Sequence, residues 1–482
     1  MINVKKLVCL ITLIFALFTV ANAAEGDYII KYKENAPMLL SQRNASYIFG
    51  GMYAVSKETA IALNDAGFLE ICEPVITYTL HDTSAPDDTL FPDQWNLEKI
   101  NADYAWSLKT FGNDVRVGII DSGLALGHPD IDYSRVITGY NCADDNTDTT
   151  DTTGHGTKVA GIIAARINNN EGLCGIADKV KIVPFKVFNA QGGSSDLIIA
   201  DAVIRAVDDF GCDVINLSLS SPEKSSLLDA VINYVLSKGC IVIASAGNND
   251  TPNDTGNHLR YPAAQPGVIA VGSTDNDEQN SVSARSVKND SVFICAPAGG
   301  IPVLSISGSS DYTTGSGTSF AAPQVAAAAA IAKSIDPALT PAEFADILKN
   351  TAYRPGATQP NNPIRDTEIG YGLLDIEAMI KYMLDGRTVY VSPYDTDSAT
   401  VTLFNLTDSP VSVSSIFGAY LGSKMTDFDH KPITLDVGGL YTHIFTSEKS
   451  YTKLRHFLWK SLESVLPYEN DYIPRELIIP VE

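Results

Sequence analysis

Residues 315–333 read GSGTSFAAPQVAAAAAIAK, a glycine-rich turn running into an alanine-rich helix with one serine, Ser319, at the junction. Small residues let two backbones or a ligand approach closely, and a serine where a helix begins is held in a fixed position. Ser319 is therefore either a helix cap or a presented nucleophile. Capping alone explains most such patterns, so the rest of the chain has to decide between them.

From about Trp95 to Leu384, short apolar runs alternate with helical patterns. The runs include VRVGIID (115–121), KIVPFKVF (181–188), DVINLSL (213–219), CIVIASAGN (240–248) and VIAVGS (268–273). The stretches between them, such as SDLIIADAVIRAVDDF and SLLDAVINYVLSKG, have helical spacing. Continuous Val/Ile runs bounded by turn residues are what doubly covered parallel strands look like, and the intervening helices supply the crossovers. The pattern predicts an α/β fold with a doubly wound, mostly parallel sheet.

In such a sheet, chemistry gathers at the carboxyl ends of the strands. Asp121 closes one apolar run and Asn248 closes another, while His155 and Ser319 each open a helix beside glycines. A serine hydroxyl is a poor nucleophile at neutral pH. It needs a base to take its proton, and the base needs a carboxylate to fix its tautomer. Asp121, His155 and Ser319 form that chemical set. The Asn248 side-chain amide, with the Ser319 backbone N–H, suits the oxyanion that would develop on an attacked carbonyl.

These blocks, GIIDSGLALGHPDI, HGTKVAGIIAA, DVINLSLS, ASAGN, GTSFAAPQVA and a closing GYGLLDIEA, resemble the subtilisin-like serine proteases, or subtilases, over most of residues 95–380. The order Asp, His, Ser is also the order of subtilisin, itself a standard illustration of the triad. The resemblance implies a serine endopeptidase acting on polypeptides. It implies that Ser218, Leu219 and Ser220 pair with an extended substrate and wall its first pocket. ARINNNEGLCGIA resembles the family's calcium loop, which implies a structural calcium held by the Asn169 side chain, the carbonyls of Ile167, Glu171 and Leu173, and the carboxylate of Asp130. The family's amino-terminal glutamine ligand has no counterpart between Leu90 and Gln94.

Three departures stand out from the family pattern. Lys158 and Gln324 occupy positions where histidines are frequent, and Ser220 stands where glycine is common. A lysine one turn from His155 is expected to lower the pKa of that base by charge repulsion.

The organisation expected is a signal peptide at 1–24, an inhibitory prosegment at 25–80, a linker at 81–94, the catalytic domain at 95–384 and a β-rich, sandwich-like domain at 385–482. Residues 1–24 place Lys5 and Lys6 before an apolar run and an Ala21-Asn22-Ala23 cleavage pattern. Residues 25–80 resemble the ferredoxin-like prosegment of the family, an intramolecular inhibitor, with cleavage expected between Tyr78 and Ala85. The tail resembles a module appended to secreted clostridial proteins, and its Phe457, Leu458 and Trp459 read as core packing.

The chain has 482 residues with 57 acidic and 34 basic side chains, a net charge of −23. Nucleic acid and anionic membranes are poor partners for such a surface. No stable membrane anchor is expected after the signal, and the protein is expected outside the cell, free or wall-associated. The seven cysteines lack CxxC spacing, so neither a zinc site nor a disulfide scaffold is indicated, and free thiols are expected. Two other functions remain open on sequence alone: a non-catalytic binding protein on the same fold, and a protease dedicated to one partner.

Overall fold

The computed structural model describes residues 28–33, 45–47, 52–55, 57–74, 85–189, 192–249, 258–277, 281–306, 312–354, 365–385, 389–392, 399–407, 409–421, 424–437, 439–446, 453–459 and 475–478. The expected signal peptide and nearly all of the expected cleavage interval lie outside these residues, as do the side chains of Phe457 and Trp459. By contacts the chain divides into two compact units, Met1–Asp82 and Thr83–Glu482.

The first unit has strands β1 (Tyr28–Tyr32), β2 (Ala45–Tyr47) and β3 (Met52–Val55), helix α1 (Lys57–Asp65) and strand β4 (Leu69–Pro74). The strands form an antiparallel sheet in the order β2-β3-β1-β4. Ile30, Val55, Ala60, Leu63 and Leu69 are buried between sheet and helix.

The second unit begins with two short helices, α2 (Trp95–Lys99) and α3 (Ala102–Ser107), followed by β5 (Arg116–Asp121) and β6 (Tyr140–Asn141). Helix α4 (His155–Ala164), β7 (Lys181–Lys186), α5 (Asp196–Asp208), β8 (Val214–Leu217), α6 (Ser226–Ser237) and β9 (Ile241–Ser245) come next. Then follow β10 (Ile269–Thr274), β11 (Ile294–Pro297), β12 (Ile301–Leu304), β13 (Tyr312–Gly315), α7 (Thr318–Ile335), α8 (Pro341–Thr351) and α9 (Ile376–Met383). Strands β5 to β11 form a seven-stranded sheet in the order β11-β10-β9-β8-β5-β7-β6, with every pairing parallel. The doubly wound parallel sheet expected from the sequence is present.

The strand pleat sorts the apolar side chains into two cores. Along β9, Ile241 and Ile243 join the core under α4 and α7, whereas Val242 and Ala244 join the core under α5 and α6. The strands need apolar residues at consecutive positions because both faces are covered. Helix α7 is buried almost throughout, and its run Ala326–Ala330 is fully inaccessible. Alanine there lets α7 lie close against α4 and the sheet, which fixes both helix starts relative to the strand ends.

Strands β14 (Val389–Val391), β15 (Thr400–Asn405), β16 (Val411–Leu421), β17 (Lys424–Leu435), β18 (Leu440–Ile444), β19 (Lys453–Trp459) and β20 (Arg475–Ile478) form two antiparallel sheets. Their orders are β14-β15-β18 and β17-β16-β19-β20, and Val401, Leu403, Val413, Phe417, Phe445 and Leu454 fill a core of their own. Tyr390 and Phe404 instead join the larger core of the parallel sheet, with their rings 5.9 Å apart. The Tyr390 hydroxyl lies 2.7 Å from Thr110 Oγ1, just past α3. Cys142, Cys174, Cys212, Cys240 and Cys295 are free thiols. No helix of the described residues is long and apolar enough to cross a membrane.

Tyr390 thus ties the first tail strand into the packing beneath the parallel sheet. Replacing it with alanine is expected to cost about 3–5 kcal/mol, the range for buried aromatics, and to lower the melting temperature by on the order of 10 °C. Tyr390→Phe, which keeps the ring and removes the hydroxyl bonded to Thr110, should cost about 1 kcal/mol. Calorimetry on both variants checks the ranking.

Candidate active site

The residues singled out in the sequence converge at the carboxyl edge of the parallel sheet. Asp121 ends β5, Ser218 follows β8, Asn248 lies just past β9, and His155 and Ser319 sit in the first turns of α4 and α7. The Asp121 carboxylate is fully buried. It accepts the Ser122 backbone N–H at 2.7 Å and faces His155 Nδ1 at 2.8 and 2.9 Å through its two oxygens. An ionised carboxylate only accepts, so Nδ1 carries the proton and Nε2 is left free as a base.

Burial by itself would lower the His155 pKa, but the charge and hydrogen bond of Asp121 outweigh it and hold the imidazole above its ordinary value. Lys158 acts in the expected downward sense, and Asp151 opposes it. The lowering expected from Lys158 is therefore present, but the carboxylate in direct contact dominates the lysine one turn away. Asp151 also anchors the start of α4. Its oxygens accept from Thr153 N, Gly154 N, Thr157 N and Thr157 Oγ1, and despite burial these bonds hold its carboxyl below the usual range.

Gly156 follows His155 because nothing larger fits. A Cβ there would stand 2.2 Å from the Gly123 carbonyl oxygen and 3.2 Å from Asp121 Cβ. Its N–H donates to Ser122 Oγ at 2.9 Å, which ties the helix start to the strand end.

Ser319 is the second residue of α7, and Gly317 occupies the cap position without a side-chain bond. The capping reading of Ser319 is thereby set aside. The Ser319 hydroxyl points to the Ser218 carbonyl at 3.4 Å, and Ser218 Oγ donates to the Ser319 carbonyl at 2.8 Å. The His155 ring lies 5.7 Å from that of Phe320, the neighbour of Ser319. Asn248 Oδ1 accepts from Thr318 N at 3.0 Å and Thr318 Oγ1 at 3.1 Å, so Nδ2 remains as the donor. Gly317, at φ +119°, leaves room for this amide, since a Cβ would lie 3.0 Å from Asn248 Oδ1. The Ser319 N–H lies in the first helical turn, where backbone donors have no partner within the helix.

Of the expected substrate residues, Ser218 turns its hydroxyl inward, where it also accepts from Asn216 Nδ2 at 2.9 Å. Leu219 is half-buried and Ser220 is exposed. Gln324 is buried in α7, and its amide donates to the carbonyls of Phe320 and Pro297. Thr318, Ser122 and Asp151 escaped the sequence reading. The signal for Thr318 and Ser122 was adjacency to Ser319 and Asp121.

The loop expected to hold calcium folds around Asp130, which is fully buried. Asp130 accepts from Asn169 Nδ2 at 2.9 Å and Leu173 N at 2.8 Å, while Asn169 Oδ1 accepts from Glu171 N at 3.0 Å. Burial pushes the Asp130 carboxyl up to about 7. Asp88, also buried, accepts from Asn168 N at 2.8 Å and the Cys174 thiol at 3.2 Å through one oxygen, and its other oxygen, Oδ1, has no partner. Two buried carboxylates, one with an orphaned oxygen, fit a hard cation. The described residues contain no cluster of three or more His, Cys, Asp or Glu side chains for a metal, so such a site would rely on amide and carbonyl oxygens as well.

A buried Asp–His pair at the edge of a doubly wound parallel sheet, with a serine and an oriented amide on facing elements, defines a candidate hydrolase of the serine-nucleophile class. Residues 112–372 match the subtilase family of peptidases, and the chain belongs to that family. It is 35% identical over 283 residues to the thermophilic serine proteinase of Bacillus sp. strain AK1, covering 58% of this chain and 66% of that one. Minor extracellular protease Epr of Bacillus subtilis strain 168 is 31% identical over 396 residues, or 77% of this chain and 58% of the relative. Subtilisin DY of Bacillus licheniformis is 34% identical, with 59% of this chain covering 97% of it. In structure, a protease from Pseudoalteromonas arctica PAMC 21717 superposes with a TM-score of 0.54 at 29% identity, covering 62% of this chain and 99% of that one.

Lys158→Met removes a charge that disfavours the His155 imidazolium, so the His155 pKa should rise. If His155 acts as a base, the acid limb of the pH–rate profile moves to higher pH by a few tenths, and Lys158→Glu moves it further. Steady-state rates across the acid range test the sign.

Proposed function

We propose that the chain is a secreted serine endopeptidase made as a self-processed precursor. The observation that carries the reading is the buried Asp121 carboxylate on His155 Nδ1, which fixes the tautomer a general base requires. Ser319 Oγ attacks the peptide carbonyl while His155 Nε2 takes its proton. The tetrahedral oxyanion is met by Asn248 Nδ2 and the Ser319 N–H, which are in place before the reaction. His155 then gives its proton to the leaving amine, and the acyl group stays on Ser319. Water, deprotonated by His155, releases the acid and regenerates the serine.

An extended polypeptide would lie along the strand edge at Ser218–Ser220, through main-chain hydrogen bonds, with Leu219 and Ser220 the residues open to its side chains. Ser218 is committed to the Ser319 carbonyl, so its contribution is through its backbone. The antiparallel unit within Met1–Asp82 is assigned as the prosegment, and residues 1–24 as the export signal. The relative Epr is named an extracellular protease, which supports the location.

Calcium would be held by Asp130, Asn169 and the carbonyls of Ile167, Glu171 and Leu173, with Asp88 supplying the oxygen for which residues 90–94 offered no candidate. When bound it would offset two buried negative charges and brace the loop that follows α4.

Intact-mass analysis of the expressed precursor beside a Ser319→Ala variant, each treated with a fluorophosphonate probe, tests the reading. The parent should lose a segment ending between Tyr78 and Ala85 and take up one probe, and the variant should do neither. Asp121→Asn should reduce kcat by about 10⁴-fold. A folded parent freed of residues 25–80 that takes no probe would overturn the assignment.

A further inference from the structure

We propose that Lys186 is a positioning residue of the active site, acting on Asp121 and His155 through Ser122; the proposal rests on the proteolytic reading above. Lys186 ends β7 as the register partner of Asp121, so the two side chains leave the sheet on the same face. Its side chain is buried, with 6% exposure, a rare state for a lysine. The ammonium donates to the Ser122 carbonyl at 3.0 Å. Ser122 is the point where the site is tied together. Its N–H holds Asp121, its Oγ accepts from Gly156 at the start of the His155 helix, and its carbonyl is held by the lysine. The carbonyl of the peptide after Ser122 is thus held by the lysine, and that peptide leads into Gly123 at φ +111°, where a Cβ would stand 2.2 Å from the Thr149 carbonyl oxygen. A charge-assisted bond is stronger than a neutral one.

The test uses full-length parent, Lys186→Met and Lys186→Gln, with active sites titrated by the fluorophosphonate probe. Expressing kcat per titrated site removes any loss due to misfolded protein. Lys186→Met should lower kcat per site by roughly 10- to 100-fold, as a small misplacement of the base does, with KM within about twofold. Lys186→Gln, which keeps a donor without the charge, should recover part of kcat. Equal kcat per site in the parent and both variants overturns the proposal. A parent that neither turns over nor labels sinks the proteolytic reading instead.

The tail carries an independent feature. Ser415 of β16 lies between two fully buried histidines, 2.7 Å from His443 Nδ1 of β18 and 2.7 Å from His456 Nε2 of β19. His443 Nε2 lies 3.2 Å from Asp429 Oδ2 of β17. These distances order the protons. Nε2–H of His443 donates to the carboxylate, so neutral His443 accepts at Nδ1 from the Ser415 hydroxyl. The Ser415 oxygen must then accept from His456 Nε2–H. The chain crosses between the two sheets, and Phe417 covers both rings at 4.7 and 5.0 Å.

We infer that this chain is a pH-sensitive latch of the tail, closed while His443 is neutral and opened by acid. A proton on Nδ1 of His443 would set two N–H groups against one hydroxyl and leave the Ser415 proton without its acceptor. Besides the histidines of the chain itself, the titratable and charged groups of the surrounding strands are Tyr420 on β16, Lys424, Asp427, Asp429, His430 and Lys431 on β17, Tyr441 on β18, Lys453 and Arg455 on β19, and Arg475 and Glu476 on β20, with none on β15. Burial holds the His443 pKa below its ordinary value despite Asp429. The unfolded chain therefore binds the proton more readily, and stability present above about pH 6.5 is lost as the pH falls below it.

Hydrogen exchange on the full-length Ser319→Ala chain, at about pH 7.5 and about pH 5 with intrinsic rates corrected, reads the latch. Protection of β16, β18 and β19 should fall more than about tenfold on acidification, while β8 and β9 hold theirs. In His443→Gln, which keeps the acceptor but cannot titrate, the fall should be largely abolished. Exchange of the His443 C2 proton in the parent gives its pKa without any substitution. Unchanged protection of the tail strands at the lower pH, or a normal or raised His443 pKa, overturns the inference.

Discussion

The arrangement of the site depends on one hydrogen-bonded contact, the buried Asp121 carboxylate against His155 Nδ1. A fully buried carboxylate is costly unless its oxygens are occupied. Here Ser122 N–H and the imidazole occupy them, and both donors come from elements whose positions the sheet already fixes. Strand β5 presents the acid, α4 begins where Asp151 collects its free N–H groups, and Gly156 permits the helix to approach the strand end. The same constraint explains why small residues cluster here. Gly123 and Gly156 stand where two backbones meet, and Gly317 where the Asn248 amide passes.

The facing half is fixed by a reciprocal pair of bonds between Ser218 and Ser319, which lock the end of β8 to the start of α7. Thr318 then sets the Asn248 amide. Ser319 and the Asn248 amide are thus held through adjacent residues of one helical turn, so neither can shift without the other. Preorganised dipoles of this kind stabilise developing charge without reorganisation during the reaction.

Most of this was legible in the sequence because its causes are local. Val/Ile runs, helical spacing and residue types at run ends depend on a few neighbouring positions, so they predicted the parallel sheet and brought Asp121, His155, Asn248 and Ser319 to one edge. What escaped was non-local. Thr318 matters through Asn248, 70 residues away, and Lys186 meets Ser122 across 64 residues. Asp88 lies two residues before the interval searched for a calcium ligand, and only folding reveals that one of its oxygens is buried and unmatched. The net rise of the His155 pKa is non-local in the same way. Sequence spacing exposes a lysine one turn away, but not the distance of a carboxylate on another strand.

The tail shows the same limit more sharply. Its β-rich segments signalled a sandwich, yet nothing in the spacing of Ser415, His443 and His456 indicates that they meet. A hydroxyl between two imidazoles in an apolar core is tolerable only when every proton has an acceptor, and the Asp429 carboxylate starts that ordering. An apolar trio would pack at no such risk. Polar groups retained there make the closure of the two sheets conditional on protonation, whereas the Tyr390 contact, built from aromatic packing and a neutral hydroxyl, binds the tail to the larger core without that dependence. The anchoring of the tail and its internal closure therefore rest on different chemistry, and acid acts on the second alone.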